Sequence, residues 1–296
     1  MKILFYSFIL FSCGSALATE SLSKFHPVRI PLERYGDMPG ITLGIGKERT
    51  PLHLLLDSGA GIQTSIRIME DSGVEDLFHE TGHQKSTIDY YGKGKVSSIE
   101  IPEIHIADLR YSNYKATVGR IPEPQPGVHG LIGLKAFIDH TLLIDYHQME
   151  LWLLPDQLNY STELDESWIR CKFEYVEDCI ALKIKVEGFP HPLSCILDTG
   201  VVAKHPDFGN FNVLKDDLLS KVTDDAVVNL SGNHAILGKA MQLSDRWIAP
   251  ENFLFLDSFK LLKSVDGFIG DAFLERNRVL IDFKNRLVFI QPIQQP

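Results

Sequence analysis

Two short stretches of this sequence could do acid–base chemistry together. Leu54-Leu55-Leu56-Asp57-Ser58-Gly59-Ala60 is answered by Cys195-Ile196-Leu197-Asp198-Thr199-Gly200-Val201. In each, an apolar run that reads as a buried strand delivers one Asp, then a small hydroxyl residue, then Gly. A carboxylate at the end of an apolar strand is costly to ionise unless something compensates it. Two such sites in one chain predict that the carboxyls meet and share a proton. Hydrogen bonds would lower one pKa, while burial and repulsion raise the other. The plainer reading is two unrelated turns, because Asp-Ser-Gly and Asp-Thr-Gly are common turn formers.

The elements around the two stretches favour a pair, because they are duplicated. Gly130-Leu131-Ile132-Gly133 is matched by Gly267-Phe268-Ile269-Gly270, and Leu142-Leu143-Ile144-Asp145-Tyr146 by Val279-Leu280-Ile281-Asp282-Phe283. Gly133 and Gly270 stand 137 residues apart, as do Asp145 and Asp282; Asp57 and Asp198 stand 141 apart. Ordered features recurring at nearly one offset mark an internal duplication. Residues 28–32, 41–45, 52–56, 96–106 and 114–118 read as short strands punctuated by Gly and Pro. Ile66, Met69, Val74, Leu77 and Phe78 fall at helical spacing and predict a helix that ends near Gly82. The polar segment 155–166 separates the copies and reads as a linker between an N-terminal lobe, 19–154, and a C-terminal lobe, 167–296.

An apolar run into Asp-Ser/Thr-Gly, followed by strands and then apolar-apolar-Gly, resembles the aspartic peptidases, both pepsin-like and retropepsin-like. Both halves carry the pattern, so the resemblance covers nearly all of the mature chain; Ala60 after the first motif is the more retropepsin-like choice. The resemblance implies an all-β, bilobal pepsin/retropepsin-like acid-protease fold with few short helices and a cleft between the lobes. It implies hydrolysis of peptide bonds in a peptide or protein substrate, by water activated between Asp57 and Asp198. One carboxylate would take a proton from the water while the other carboxyl protonates the carbonyl oxygen, so no metal and no cofactor is expected. Ser58 and Thr199 would cross-link the two loops through their hydroxyls. Gly59 and Gly200 would let backbone amides approach the carboxyls, and Gly133 and Gly270 would pack beneath. Tyr90-Tyr91-Gly92-Lys93-Gly94 is similar to the tip of the substrate-binding flap, with Tyr91 and Gly92 as its contacts; a plain exposed hairpin is the other reading. Ser231-Gly232 stands at a comparable offset and would be a second flap or a plain hairpin. A monomer is expected.

The second motif departs from the family pattern. Val201 and Val202 stand where pepsin-like chains carry Ser or Thr, and Lys204 and His205 follow closely. A cation beside the pair would favour full ionisation and spoil the shared proton. These departures motivate an alternative, a catalytically inactive peptide- or protein-binding module on the same fold. A third reading comes from His79-Glu80-Thr81-Gly82-His83, which matches the zinc-peptidase string H-E-x-x-H. Gly82 suits a helix end better than the helix interior which that site needs, and Ser86 and Asp89 replace the Gly and His of the metzincin extension.

The N-terminus predicts export. Lys2, an apolar run over 3–11 and Ala16-Leu17-Ala18 have the layout of a signal peptide, 1–18, cut after Ala18. The protein is then expected to be secreted or periplasmic, with no membrane anchor after cleavage. Bulky Phe11 argues against a lipoprotein box ending at Cys13. Residues 19–25 are too few for the inhibitory pro-segment of secreted pepsins, so no pepsin-style zymogen is expected. A net charge of −10 argues against nucleic-acid or anionic-membrane partners. Export would permit a disulfide; Cys171 and Cys179 flank a hairpin turn and are better placed than Cys195, and three buried free thiols are the alternative.

Overall fold

The computed structural model describes residues 27–89, 92–121, 125–223, 227–230, 232–257 and 264–293. Among them the strands form two sheets, one of eight strands and one of fourteen. Helix is confined to single turns or little more: Ser58–Ala60, Glu75–Leu77, Leu134–Phe137, Tyr160–Glu163, Asp216–Lys221 and Asp271–Leu274. The molecule is the all-β, bilobal structure expected.

Each half is organised around a short parallel pair. Thr50–Leu56 lies beside Gly130–Ile132, with Leu56 opposite Ile132; Leu193–Leu197 lies beside Gly267–Ile269, with Leu197 opposite Ile269. These strands are covered on both faces, so their sequences are continuous apolar runs without polar alternation. On the far side of each short strand runs an antiparallel neighbour, Ile66–Met69 in one half and Gly209–Lys215 in the other. Those neighbours pair in parallel with Leu109–Gly119 and Arg246–Leu256. The hairpins correspond as well: His79–Asp89 with Gly92–Ile106, and Val227–Leu230 with Asn233–Leu243. Their last described pairs, Asp89 with Gly92 and Leu230 with Asn233, stand 141 residues apart, the spacing of the two Asp motifs.

The halves are joined edge to edge. Thr141–Asp145 pairs antiparallel with Asn277–Asp282, and Leu143 lies opposite Leu280, its own counterpart in the repeat. A local twofold therefore passes between these two leucines. Glu150–Leu154 and Val28–Pro31 extend the sheet on one side, Leu287–Pro292 and Ile169–Val176 on the other. Tyr160, inside the segment expected as a linker, is buried against this sheet among Leu143, Leu154, Leu280, Leu287 and Phe289. Its hydroxyl donates to the Pro155 carbonyl at 2.5 Å.

One expected element is absent. Residues 66–78 do not form a helix: Ile66–Met69 is a strand, Glu75–Leu77 a single 3-10 turn, and the chain re-enters a strand at His79. Ile66 and Ile68 point into the core by strand alternation, and Arg67 faces the other way. Asp71 and Gly73, both at positive φ, turn the chain before Val74. Pairing on both edges of Ile66–Met69 outweighs a helical spacing that spans only a few apolar residues.

Candidate active site

The strands Thr50–Leu56 and Leu193–Leu197 each end by handing one Asp to the junction between the halves. The Asp57 amide donates to the Ile132 carbonyl and the Asp198 amide to the Ile269 carbonyl, both at 3.0 Å, so each Asp is fixed by the parallel pair behind it. The loops then lock to each other. Ser58 N donates to Thr199 Oγ1 and Thr199 N donates to Ser58 Oγ, both at 2.9 Å. Ser58 Oγ in turn donates to the Leu197 carbonyl, and Thr199 Oγ1 to the Leu56 carbonyl, both at 2.8 Å. Both hydroxyl residues are fully buried. Four reciprocal bonds across the junction leave neither loop free to shift alone.

The two carboxyls converge at the junction, each beside the glycine of the opposite loop. Asp198 Oδ1 accepts from Gly200 N at 2.8 Å and from Gly59 N at 3.2 Å; Asp57 Oδ1 accepts from Ala60 N at 2.9 Å. Gly59 is required by the approach itself, since a Cβ there would lie 2.0 Å from Asp198 Oδ2. A Cβ on Gly200 would lie 3.1 Å from Asp57 Oδ1, a close contact that a small shift could relieve. Burial pushes the Asp198 carboxyl up to about 8, aided by the negative charge of Asp57 and opposed by the Gly200 and Gly59 amides. Burial also raises Asp57, but the Ala60 amide, the charge of Arg67, the Gly59 amide and the bond from Asp198 all pull it back. The two carboxyls titrate as one coupled pair, in which burial and the Asp57 charge favour a proton retained on the Asp198 side.

The cations that threatened this arrangement point elsewhere. Lys204 Nζ bonds Asp37 Oδ1 at 2.8 Å, and the His205 ring packs on Phe208 with centroids 5.1 Å apart. Val201 joins an apolar cluster with Ile196, Val213, Val265 and Phe268. The cation that does act on the pair is Arg67, which the sequence reading missed. In the ladder Leu55, Leu131 and Arg67 stand side by side, and Asp57, two residues beyond Leu55, shares their face. Two strand spacings put Arg67 about 10 Å from the Asp57 strand. Its signal was an arginine between two isoleucines, legible only once 66–69 is known to be a strand.

Tyr91 lies outside the described residues, as do the signal segment 1–18 and Ser231. Gly92 opens the returning strand Gly92–Ile106, opposite Asp89. The His79-Glu80-Thr81-Gly82-His83 string lies in the strand His79–Asp89, with Gly82 at φ +78° and a register shift between Glu80 and Gln84. A strand separates positions four apart by about 13 Å and does not stack them on one face turn over turn, so the zinc-peptidase geometry is not formed. Cys171, Cys179 and Cys195 are all free and buried. Cys171 is opposite Val288 and Cys179 opposite Val176, at opposite ends of the antiparallel hairpin their strands form, so the disulfide considered for them is not made. The Cys179 thiol, pushed up to about 12 chiefly by burial, instead donates to the Gly59 carbonyl at 3.3 Å.

Among solved structures the chain is similar to the aspartic proteinase from Irpex lacteus, with a TM-score of 0.66 and 14% sequence identity, over 91% of this chain and 98% of that one. At this identity the likeness shows a shared aspartic-proteinase fold. No family model matches the sequence, and no curated protein sequence matches it. Among the described residues no helix is long and apolar enough to cross a membrane.

Proposed function

We propose that this protein is an exported aspartic endopeptidase that hydrolyses peptide bonds with water activated by an Asp57/Asp198 dyad. The observation that carries the proposal is the convergence of two carboxyls, each beside the glycine of the opposite loop, held by the reciprocal Ser58–Thr199 lock. Asp57, kept more acidic by the Ala60 amide and Arg67, is the base that takes a proton from water; Asp198, kept protonated by burial, is the acid that protonates the scissile carbonyl oxygen. By the resemblance alone, Tyr91 and Gly92 would belong to the flap that covers the substrate.

Asp57→Asn and Asp198→Asn tests the dyad directly. Each variant should lose cleavage of a peptide substrate by about a thousandfold or more, and a statine-type transition-state analogue should inhibit the wild type. Activity retained in either variant overturns the mechanism. An inactive binding module would bind the same peptides and show no turnover between acidic and neutral pH; of the departures that suggested it, Lys204 pairs with Asp37, His205 packs on Phe208 and Val201 lies in an apolar cluster.

A further inference from the structure

The loops that carry Asp57 and Asp198 are supported from behind by different chemistry. In the first half Gly133 N donates to the Ser65 carbonyl at 2.7 Å, and the Ser65 hydroxyl bonds the Tyr114 hydroxyl. In the second half Gly270 N donates to a side chain, Asn212 Oδ1, at 3.2 Å. Asn212 Nδ2 then donates to Glu251 Oε2 at 3.1 Å, and Arg276 Nη1 stands 3.4 Å from the same oxygen. Gly270 stands 137 residues after Gly133, and Glu251 stands 137 after Tyr114. The duplication has kept the place of the support and changed its chemistry.

Gly270 is a corner with little tolerance. A Cβ there would lie 2.4 Å from the Val201 carbonyl and 3.1 Å from the Asp198 carbonyl. Its amide direction therefore helps to set the floor on which the Asp198 loop rests. Glu251 is an expensive way to hold that corner. It is 1% exposed, and its Oε1 has no hydrogen-bond partner among the described residues. A buried carboxyl with an unmet oxygen costs stability. Folding alone does not call for it, since the first half builds the equivalent corner with a tyrosine. The charged groups around it are Arg276, past the helix Asp271–Leu274, and Lys239, opposite it in the ladder.

We propose that Asn212 and Glu251 are positioning residues for Asp198, forming a buried relay Arg276–Glu251–Asn212–Gly270 that fixes the second loop as Ser65 and Tyr114 fix the first. Its consequence for turnover rests on the dyad reading above; its structural half stands apart from it. Amide hydrogen exchange followed by NMR on the full chain reads Gly270 and Gly133 separately, and peptide cleavage reads kcat and KM. Asn212→Ala and Glu251→Ala should speed exchange at Gly270 about tenfold and leave Gly133 unchanged, as expected for one lost buried hydrogen bond. Glu251→Gln keeps an oxygen for Asn212 and should restore protection. The same Ala variants should lower kcat with KM held within about twofold, and Gln should restore kcat. Unchanged Gly270 exchange in both Ala variants, or equal acceleration at Gly133, overturns the relay.

If neither Ala variant folds, the Asn212 side-chain amide supplies the test. In an Asp198→Asn background, where Asp57 and Asp271 remain as neighbouring titratable groups, its resonances should shift between pH 5 and 8, and most of that shift should disappear when Glu251→Gln is added. A flat profile before that addition overturns the relay. A wild-type chain that cleaves nothing overturns the dyad reading, while the exchange result still decides the relay.

Discussion

At the scale of single residues, the two hydroxyls and the two carboxyls have separable duties. Thr199→Ala would strand the Leu56 carbonyl and the Ser58 amide in a fully buried place. At about 1–3 kcal/mol for each unmet group, the variant should lose roughly 2–6 kcal/mol of unfolding free energy in a denaturant titration, and Thr199→Ser should regain most of it. Asp198 makes the opposite prediction. Its carboxyl titrates near 8 when folded and near 3.8 when free, so between those values the folded chain binds more protons than the unfolded one. Stability attributable to this group is therefore present at acid pH and lost as pH rises through that window. Asp198→Asn cannot ionise, so it should raise Tm relative to wild type at pH 7.5 while leaving Tm unchanged at pH 3. A lower Tm at pH 7.5 would show that the pair is not strained by its burial. If Asp198 is the acid proposed above, cleavage should fall as pH rises through about 8, where its proton is lost.

At the scale of elements, strand pairing decided what local pattern could not. The apolar runs before each Asp read correctly as buried strands because parallel neighbours cover both faces, and that leaves a plain mark in sequence. The segment 66–78 misled because four or five apolar residues satisfy helical spacing by chance, whereas its partners, 109–119 and 130–132, lie far along the chain. The H-E-x-x-H string failed for the same reason: its chemistry needs a helix, and the ladder with Gly92–Ile106 makes it a strand. EDTA should therefore leave peptide cleavage unchanged, and His79→Ala should cleave at the wild-type rate. Loss of activity in both would restore the metal reading.

At the scale of the whole molecule, the halves are held together by more than the shared sheet. Arg34 of the strand Glu33–Tyr35 reaches Asp271 Oδ1 at 3.2 Å and Glu275 Oε1 at 3.0 Å, and its guanidinium lies 5.8 Å from the Tyr146 ring centre. Lys204 makes a second, exposed link to Asp37, which salt screens. Asp271 is almost fully buried, and burial, then the Glu275 charge, raise its pKa against the pull of Arg34. Arg34→Met leaves that carboxyl with Asn210 at 3.4 Å, besides Glu275 of like charge. The variant should cost about 3 kcal/mol at neutral pH, and the cost should shrink as acid protonates Asp271. Equal loss at pH 4 and pH 7 would assign the effect to packing.

The sequence by itself determined that there are two copies of one β-rich unit, which Asp in each copy ends a buried strand, and which hydroxyl and glycine follow it. Those are local, periodic or repeated features, and they survive without knowledge of distance. Only the tertiary structure decided that Lys204 and His205 turn away from the carboxyls, that Arg67 faces them, that the cysteines stay apart, and that Asn212 and Glu251 stand behind one loop and Tyr114 behind the other. A charge or a hydrogen bond acts through a few ångströms of space, and here that space is set by pairing between strands tens of residues apart.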